Sequence, residues 1–415
     1  MTDEASSSSL DRRQFLKRTA ATAAGTTLAS TAGCLQLFDL SGSTTGLSGG
    51  PTFQDVHRED ADVVVESAAA LEAEVTRGGG RVVWIPADTV IDLSGRNLTL
   101  RHVTIASGRS DDASGALLAT SDRGRGSPAM GNALFTLEEG GRLTGVTIRG
   151  PHWNYTASPV IPGYIPLAPG ETYADREQWR SNWYARGVSM QADSSQLDNC
   201  ELWGFSTGIM VGSRESPASP SILYSALHNC MMTSAGYPID VNRGTPTIYR
   251  CAFDAYRHAI CGYGTADAGY LAIECDFGPH VTSHPIDMHR VGENESGGNS
   301  RSALRWQWRA GGTMLVRNSI IRPTRVVDQR HHNGANAGPY EPDPYINHNR
   351  GGFTPHVLIR GAPADGIYIE GNQCAHPDPE TGIDQSSFPG RQQMNEFGWH
   401  NIFTKQNEWN VPFSQ

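Results

Sequence analysis

The chain has 415 residues, 38% hydrophobic and 18% charged, with a formal net charge of −10. That is enough apolar material for one long core or two ordinary ones, which excludes an intrinsically disordered protein. The acidic balance disfavours nucleic acid as a partner, and Lys17 and Lys405 are the only lysines among 33 basic residues, a bias that fits a high-GC, salt-adapted source.

The first predicted element is a leader. Arg12 and Arg13 stand before Phe15, Leu16 and Lys17, and a weakly apolar Ala/Thr run without a carboxylate closes on Thr31, Ala32, Gly33 and Cys34. This resembles a twin-arginine export signal with a lipobox-like end, as in haloarchaeal exported proteins. The resemblance implies that residues 1–34 direct export, that Cys34 is lipidated, and that the protein is held at the cell surface. One lipid chain gives only a marginal hold on a membrane. No other segment approaches ~18 uninterrupted apolar residues, so no spanning helix is predicted. Residues 35–57, rich in Gly, Ser and Thr towards residue 52, read as a flexible tether.

Over residues 59–77, Val64, Ala68, Leu71 and Val75 recur at three- and four-residue steps, with Asp60 available as a cap and Gly78, Gly79 and Gly80 as a stop. This spacing predicts one amphipathic helix. From Arg81 onward apolar and polar residues alternate in short bursts broken by Gly, Asp and Asn, the pattern of short strands with tight bends.

An internal repeat then organises the chain. The segments "LDNCEL", "LHNCMM", "IYRCAF", "IECDF" and "VRNSII" place Cys200, Cys230, Cys251, Cys275 and Ser319 at equivalent points, with Leu202, Met232, Phe253, Phe277 and Ile321 two residues on. Nine to twelve residues after each comes a second strand, in "GIMVG", "PIDVN", "AICGY", "PIDMH" and, least regularly, "VVDQR". Such strands are too short to stand alone; stacked at ~4.8 Å they share hydrogen bonds and a continuous core. The helix followed by "GGGRVVWIPADTVIDL" and the "NC", "RN" and "GN" bends resemble the pectin-lyase-like superfamily. That resemblance covers about residues 58–375 and implies an all-β fold, a single-stranded right-handed parallel β-helix with an N-terminal capping helix. The domain runs over 58–415 with insertions near 151–187, 291–312 and 331–352. Many relatives of this kind act on polysaccharide and others only adhere, so the fold implies no single reaction.

Four of the six cysteines beyond Cys34 fall at one point of successive coils, which reads as a stack of small buried thiols. Disulfides between coils stay open, because neighbouring coils hold Cα atoms at ~4.8 Å. The absence of a C-x-x-C pair makes a thiolate zinc site unlikely on sequence grounds.

Residues two apart on a strand point the same way. With Ile286 and Met288 turned into the core, Asp287 and His289 face solvent, and the same phase puts Met210, Asp240, Cys261, Asp287 and Asp328 in one outward column. Gly212, Asn242, Tyr263, His289 and Arg330 form the next. Asp287 and Asp328 on adjacent rungs would split into an acid and a base, whereas Asp240 and Asp287 stand two rungs, ~10 Å, apart, and either pair bears on glycosidase geometry. The expected acid/base set is therefore Asp240, Asp287 and Asp328, with His289 and Arg330 assisting and His284 in reserve. Asn242, Tyr263, Trp306, Trp308 and Trp183 are the expected substrate contacts, the tryptophans as flat surfaces for sugar rings.

These residues predict an exported glycoside hydrolase or polysaccharide lyase on a polysaccharide, acidic if Ca²⁺ on the carboxylates neutralises a uronate while Arg330 or His289 removes its alpha proton. The rival is a non-catalytic glycan-binding surface protein. No cofactor is required; Ca²⁺ is an ion the carboxylates would accept, and His280, His284 and His289 are the set for a transition metal. A monomer, touching membrane only through its lipid, completes the expectation.

Overall fold

The computed structural model describes residues 53–110, 113–122, 132–151, 185–213, 215–230, 236–281, 284–289, 310–322, 325–326, 355–361, 363–384 and 402–413. The leader with Cys34, most of the three insertions, Trp183, Trp306, Trp308, Asp328 and Arg330 lie outside these residues. No described helix is long and apolar enough to cross a membrane.

The chain winds through three parallel sheets of eleven, eleven and nine strands among the described residues. Each turn visits them in a fixed order. One such turn is Thr247–Tyr249 in the first sheet, Ala252–Tyr256 in the second and Ile260–Gly262 in the third, before Tyr270–Ile273 re-enters the first. Every strand pair is parallel and bonds the turn before to the turn after, as in the second-sheet column Leu202, Leu227, Phe253, Phe277, Ile321 and Cys374. This is the parallel β-helix the repeat predicts. Apolar residues of all three sheets fill one continuous interior, and Phe253 stacks on Phe277 with centroids 5.1 Å apart at 7°.

The bend between the first and second sheets is made the same way in turn after turn. Asn199, Tyr224, Arg250, Glu274 and Asn318 all have φ between 48° and 53°. The residue that follows each turns inward: Cys200, Ser225, Cys251, Cys275 and Ser319, all buried. Cys230 is not in this column, because it pairs with Tyr256 five residues further on and Ser225 takes the expected place. The segment "LHNCMM" offers a cysteine at the wrong register, and Leu227 fills the core position in this column, Met232 lying outside the described residues. The described cysteines are free thiols. Cys200 Sγ donates to the Asp198 carbonyl at 3.1 Å, and burial pushes this thiol up to about 12.

The predicted 59–77 helix is shorter than expected. Arg58–Asp60 forms a 3-10 turn, Val63–Val64 pairs with Val83 and Trp84 as the first strand of the first sheet, and only Ala68–Arg77 is α-helical. Three successive β-branched valines favour the extended edge over a helix. Ser67, not Asp60, is the cap and accepts from the Ala70 amide at 3.3 Å, while Gly78 at φ 62° ends the helix as predicted.

Candidate functional site

The outer face of the third sheet carries the candidate site. Its registers place Met210, Asp240, Cys261 and Asp287 side by side on successive strands, with Ile239, Ile260 and Ile286 in the core. The alternation of inward and outward residues is thus the one the sequence predicts. The next rung differs. Asp287 pairs with Leu358 of Val357–Ile359, and Leu358 with Asp384, so the column does not pass from Asp287 to Asp328. The strand Arg325–Val326 instead pairs with His280–Val281, an extension of the second sheet. That segment looked like a third-sheet strand because a long insertion separates Ile321 from the true one, and "VVDQR" imitates the pattern closer in sequence.

The correction moves an arginine into the site. One residue beyond the core pairs Val241, Gly262, Met288 and Ile359 lie Asn242, Tyr263, His289 and Arg360; the backbone bonds Tyr263 N to Val241 O, His289 N to Gly262 O and Arg360 N to Met288 O fix that register. Arg360 therefore stands where Arg330 was expected. Two residues before the core isoleucines, the same register aligns Tyr237, His258 and His284. Tyr237 stacks on His258 at 5.6 Å and 12°, and His258 lies 4.1 Å from His284 at 42°.

Asp287 is the centre of this group and is fully buried, not solvent-facing. The side chains of the flanking columns lean over it. Arg360 grips it with both ends of its fork, Nε to Oδ1 at 3.1 Å and Nη2 to Oδ2 at 2.8 Å. His289 Nε2 lies 2.9 Å from Oδ2, and the Nε2 atoms of His258 and His284 each 3.4 Å from the same oxygen. Burial alone would raise this carboxyl, but Arg360 first and then the imidazoles hold it well below the usual range. Burial in turn lowers His258 well below the ordinary imidazole value and lowers His284, against the pull of Asp287.

Asp240 is different in kind. It is 5% exposed, its Oδ1 has no hydrogen-bond partner among the described residues, and burial, opposed by Arg186, pushes its carboxyl up to about 7. Cys261, between the two aspartates, is raised well above the thiol range by burial and then by Asp287 and Asp240, so it remains a thiol. Tyr263 is raised chiefly by the charge of Asp240 and keeps its phenolic proton.

His258, Asp287 and His289 offer ligand atoms that all lie within 4.8 Å of one another, a set with a metal-binding composition. It differs from the expected trio, since His280 sits on the second-sheet extension. His258 was missed, although it precedes Ile260 by the same two residues by which His284 precedes Ile286, and aligning the coils on their isoleucines would have found it.

No family model matches the chain, and no curated protein does. Among solved structures, it is similar in fold to an alginate lyase from Paenibacillus sp. str. FPU-7, at 11% identity and TM-score 0.45 over 85% of this chain and 100% of that one. It is also similar to the rice weevil pectin methyl esterase, at 10% identity and TM-score 0.34 over 87% of this chain and 92% of the other. No residue role is carried over from either.

Proposed function

We propose that this β-helix protein is a carbohydrate-active enzyme that cleaves polysaccharide laid along the outer face of the third sheet, with Asp240 as the proton donor. The supporting observation is the contrast between two carboxyls in one outward column: Asp240 is pushed up to about 7, whereas Asp287 is held ionised by Arg360. Environments that drive two carboxyls apart assign them different tasks. A carboxyl still protonated near neutrality can protonate a leaving glycosidic oxygen, a step that both hydrolysis and elimination can use.

Asp287 acts in this reading as a fixed anion that holds imidazoles and Arg360 in place. Tyr263, with its proton retained, and Asn242 extend the face with hydrogen-bonding groups suited to sugar hydroxyls. His289 adjoins Tyr263, with ring centroids 6.5 Å apart. Trp183, Trp306, Trp308, Asp328 and Arg330 remain proposed contributors from the insertions. Arg12, Arg13 and Cys34 support an exported, lipid-anchored protein that meets its substrate outside the cell.

The test is a panel of neutral and uronate-containing glycans, followed by reducing ends and by the absorbance of unsaturated uronate. Hydrolysis gives only the first signal and elimination gives both. Asp240→Asn is expected to lower turnover by about 10²–10⁴-fold, the usual worth of a positioned acid. Binding without turnover across the panel, or full activity in Asp240→Asn, would remove the catalytic assignment.

A further inference from the structure

We infer that His258, His289 and Asp287 bind one divalent transition-metal ion of the zinc class, closing a staple between adjacent coils of the solenoid. The reasoning begins at His258. Its Nδ1 lies 3.0 Å from the backbone carbonyl oxygen of His284, which can only accept. Nδ1 therefore carries the hydrogen, and Nε2 of the neutral ring presents a lone pair. That lone pair faces Asp287 Oδ2 at 3.4 Å, and His258 and Asp287 are both fully buried. Oδ2 also accepts from Arg360 Nη2 at 2.8 Å, but the buried His258 Nε2 has no hydrogen-bond partner among the described residues, and a cation between the two would satisfy it.

The distances suit such an ion. Zinc sits ~2.0–2.1 Å from imidazole nitrogen and a little farther from carboxylate oxygen, so two ligands on a tetrahedral edge lie ~3.3–3.5 Å apart. Asp287 Oδ2 is 3.4 Å from His258 Nε2, 3.4 Å from His284 Nε2 and 2.9 Å from His289 Nε2. Two edges of a tetrahedron thus meet at that oxygen within the mutually close set, the His258 edge at the expected length and the His289 edge short, while His284 falls outside the set. The outer contacts are those that orient ligands in metal sites. The His284 carbonyl fixes the His258 tautomer, and Arg360 Nε holds Asp287 Oδ1 at 3.1 Å. Two imidazole nitrogens and one carboxylate oxygen select zinc, cobalt or nickel over Ca²⁺, which takes six to eight oxygens. Cys261 is not among the residues whose ligand atoms cluster there. Three protein donors, none more than 4% exposed, hold the ion in a buried site and leave its fourth position to a solvent oxygen. The staple joins the turn of His258 to the turn carrying His284, Asp287 and His289.

The full-length protein, stripped with a chelator, is titrated with Co²⁺ as a spectroscopic probe, then with Zn²⁺ and Ca²⁺. The expected result is uptake of one Co²⁺ per chain with the visible bands of tetrahedral coordination. Zn²⁺ should displace it and raise the melting temperature, and Ca²⁺ should do neither. His258→Ala and His289→Ala should each weaken Co²⁺ uptake by about tenfold or more, since even outer-shell changes cost 10–100-fold. X-ray absorption of the zinc-loaded wild type needs no variant, and should show only nitrogen and oxygen neighbours with scattering from imidazole rings. Failure of the wild type to take up either metal leaves a buried histidine–carboxylate cluster and overturns the assignment. So does undiminished uptake in a folded His258→Ala, or sulfur in the first shell. None of these readouts involves a glycan, so the site and the proposed reaction fail separately.

Discussion

Replacing Asp240 by Asn tests the physical state on which the proposed chemistry rests. The carboxyl is raised from 3.8 to about 7 in the folded chain by burial. Between those values the unfolded chain is ionised while the folded chain retains the proton, so folding takes up a proton. The native state then binds more protons than the unfolded one, and stability falls as pH rises from about 4 to about 7, levelling off above. A shift of about 3 pH units corresponds to about 4 kcal/mol at 1.36 kcal/mol per unit. Asn has nearly the same shape and does not titrate. Urea unfolding of wild type and Asp240→Asn at a series of pH values should therefore show curves that lie close below pH 4 and diverge by up to about 4 kcal/mol by pH 8, the variant being the more stable. A difference constant to within about 1 kcal/mol across that range would refute the buried, protonated Asp240.

Arg360→Ala leaves the Asp287 charge buried without its strongest partner and should cost about 3–5 kcal/mol in urea unfolding, with part of the loss recovered when Asp287→Asn is added. Cys251→Ser should change stability by less than about 1 kcal/mol, because Ser225 and Ser319 already occupy that column and donate to the Leu223 and Arg317 carbonyls at 2.8 and 3.0 Å. Thiol titration without reductant should find Cys200, Cys230, Cys251, Cys261, Cys275 and Cys374 shielded in the native protein and all reactive once it is unfolded. Gly244→Ala should cost at least about 2 kcal/mol by thermal melting, since Gly244 has φ 99° and an added Cβ would collide with the Ala218 carbonyl.

The fold was legible because a solenoid repeats itself locally. Each turn reuses the same bend and the same inward side chains, so Cys200, Cys251, Cys275 and Ser319 announce the period, and the isoleucines of "PIDV", "AICG" and "PIDM" announce the phase. What failed was register across variable segments. Cys230 belongs to a longer second-sheet strand, and only the left-handed bend at Tyr224 identifies Ser225 as the true repeat. The rung after Asp287 could not be chosen by distance along the chain, since loop length carries little energetic penalty, and so Arg330 was expected where Arg360 stands. Exposure was misjudged for a related reason. Alternation tells which face a side chain leaves from, but not that imidazoles and a guanidinium from flanking columns will close over Asp287. His258 stayed hidden because its neighbours in space, His284 and His289, lie about one coil later in sequence.

A crystal structure of Asp240→Asn soaked with the oligosaccharide its parent turns over addresses the active face directly. The prediction is a sugar chain across Asn242, Tyr263 and His289, with a glycosidic oxygen within hydrogen-bonding distance of the residue 240 side chain. An oligosaccharide seated on the first or second sheet, with the third sheet bare, would contradict it.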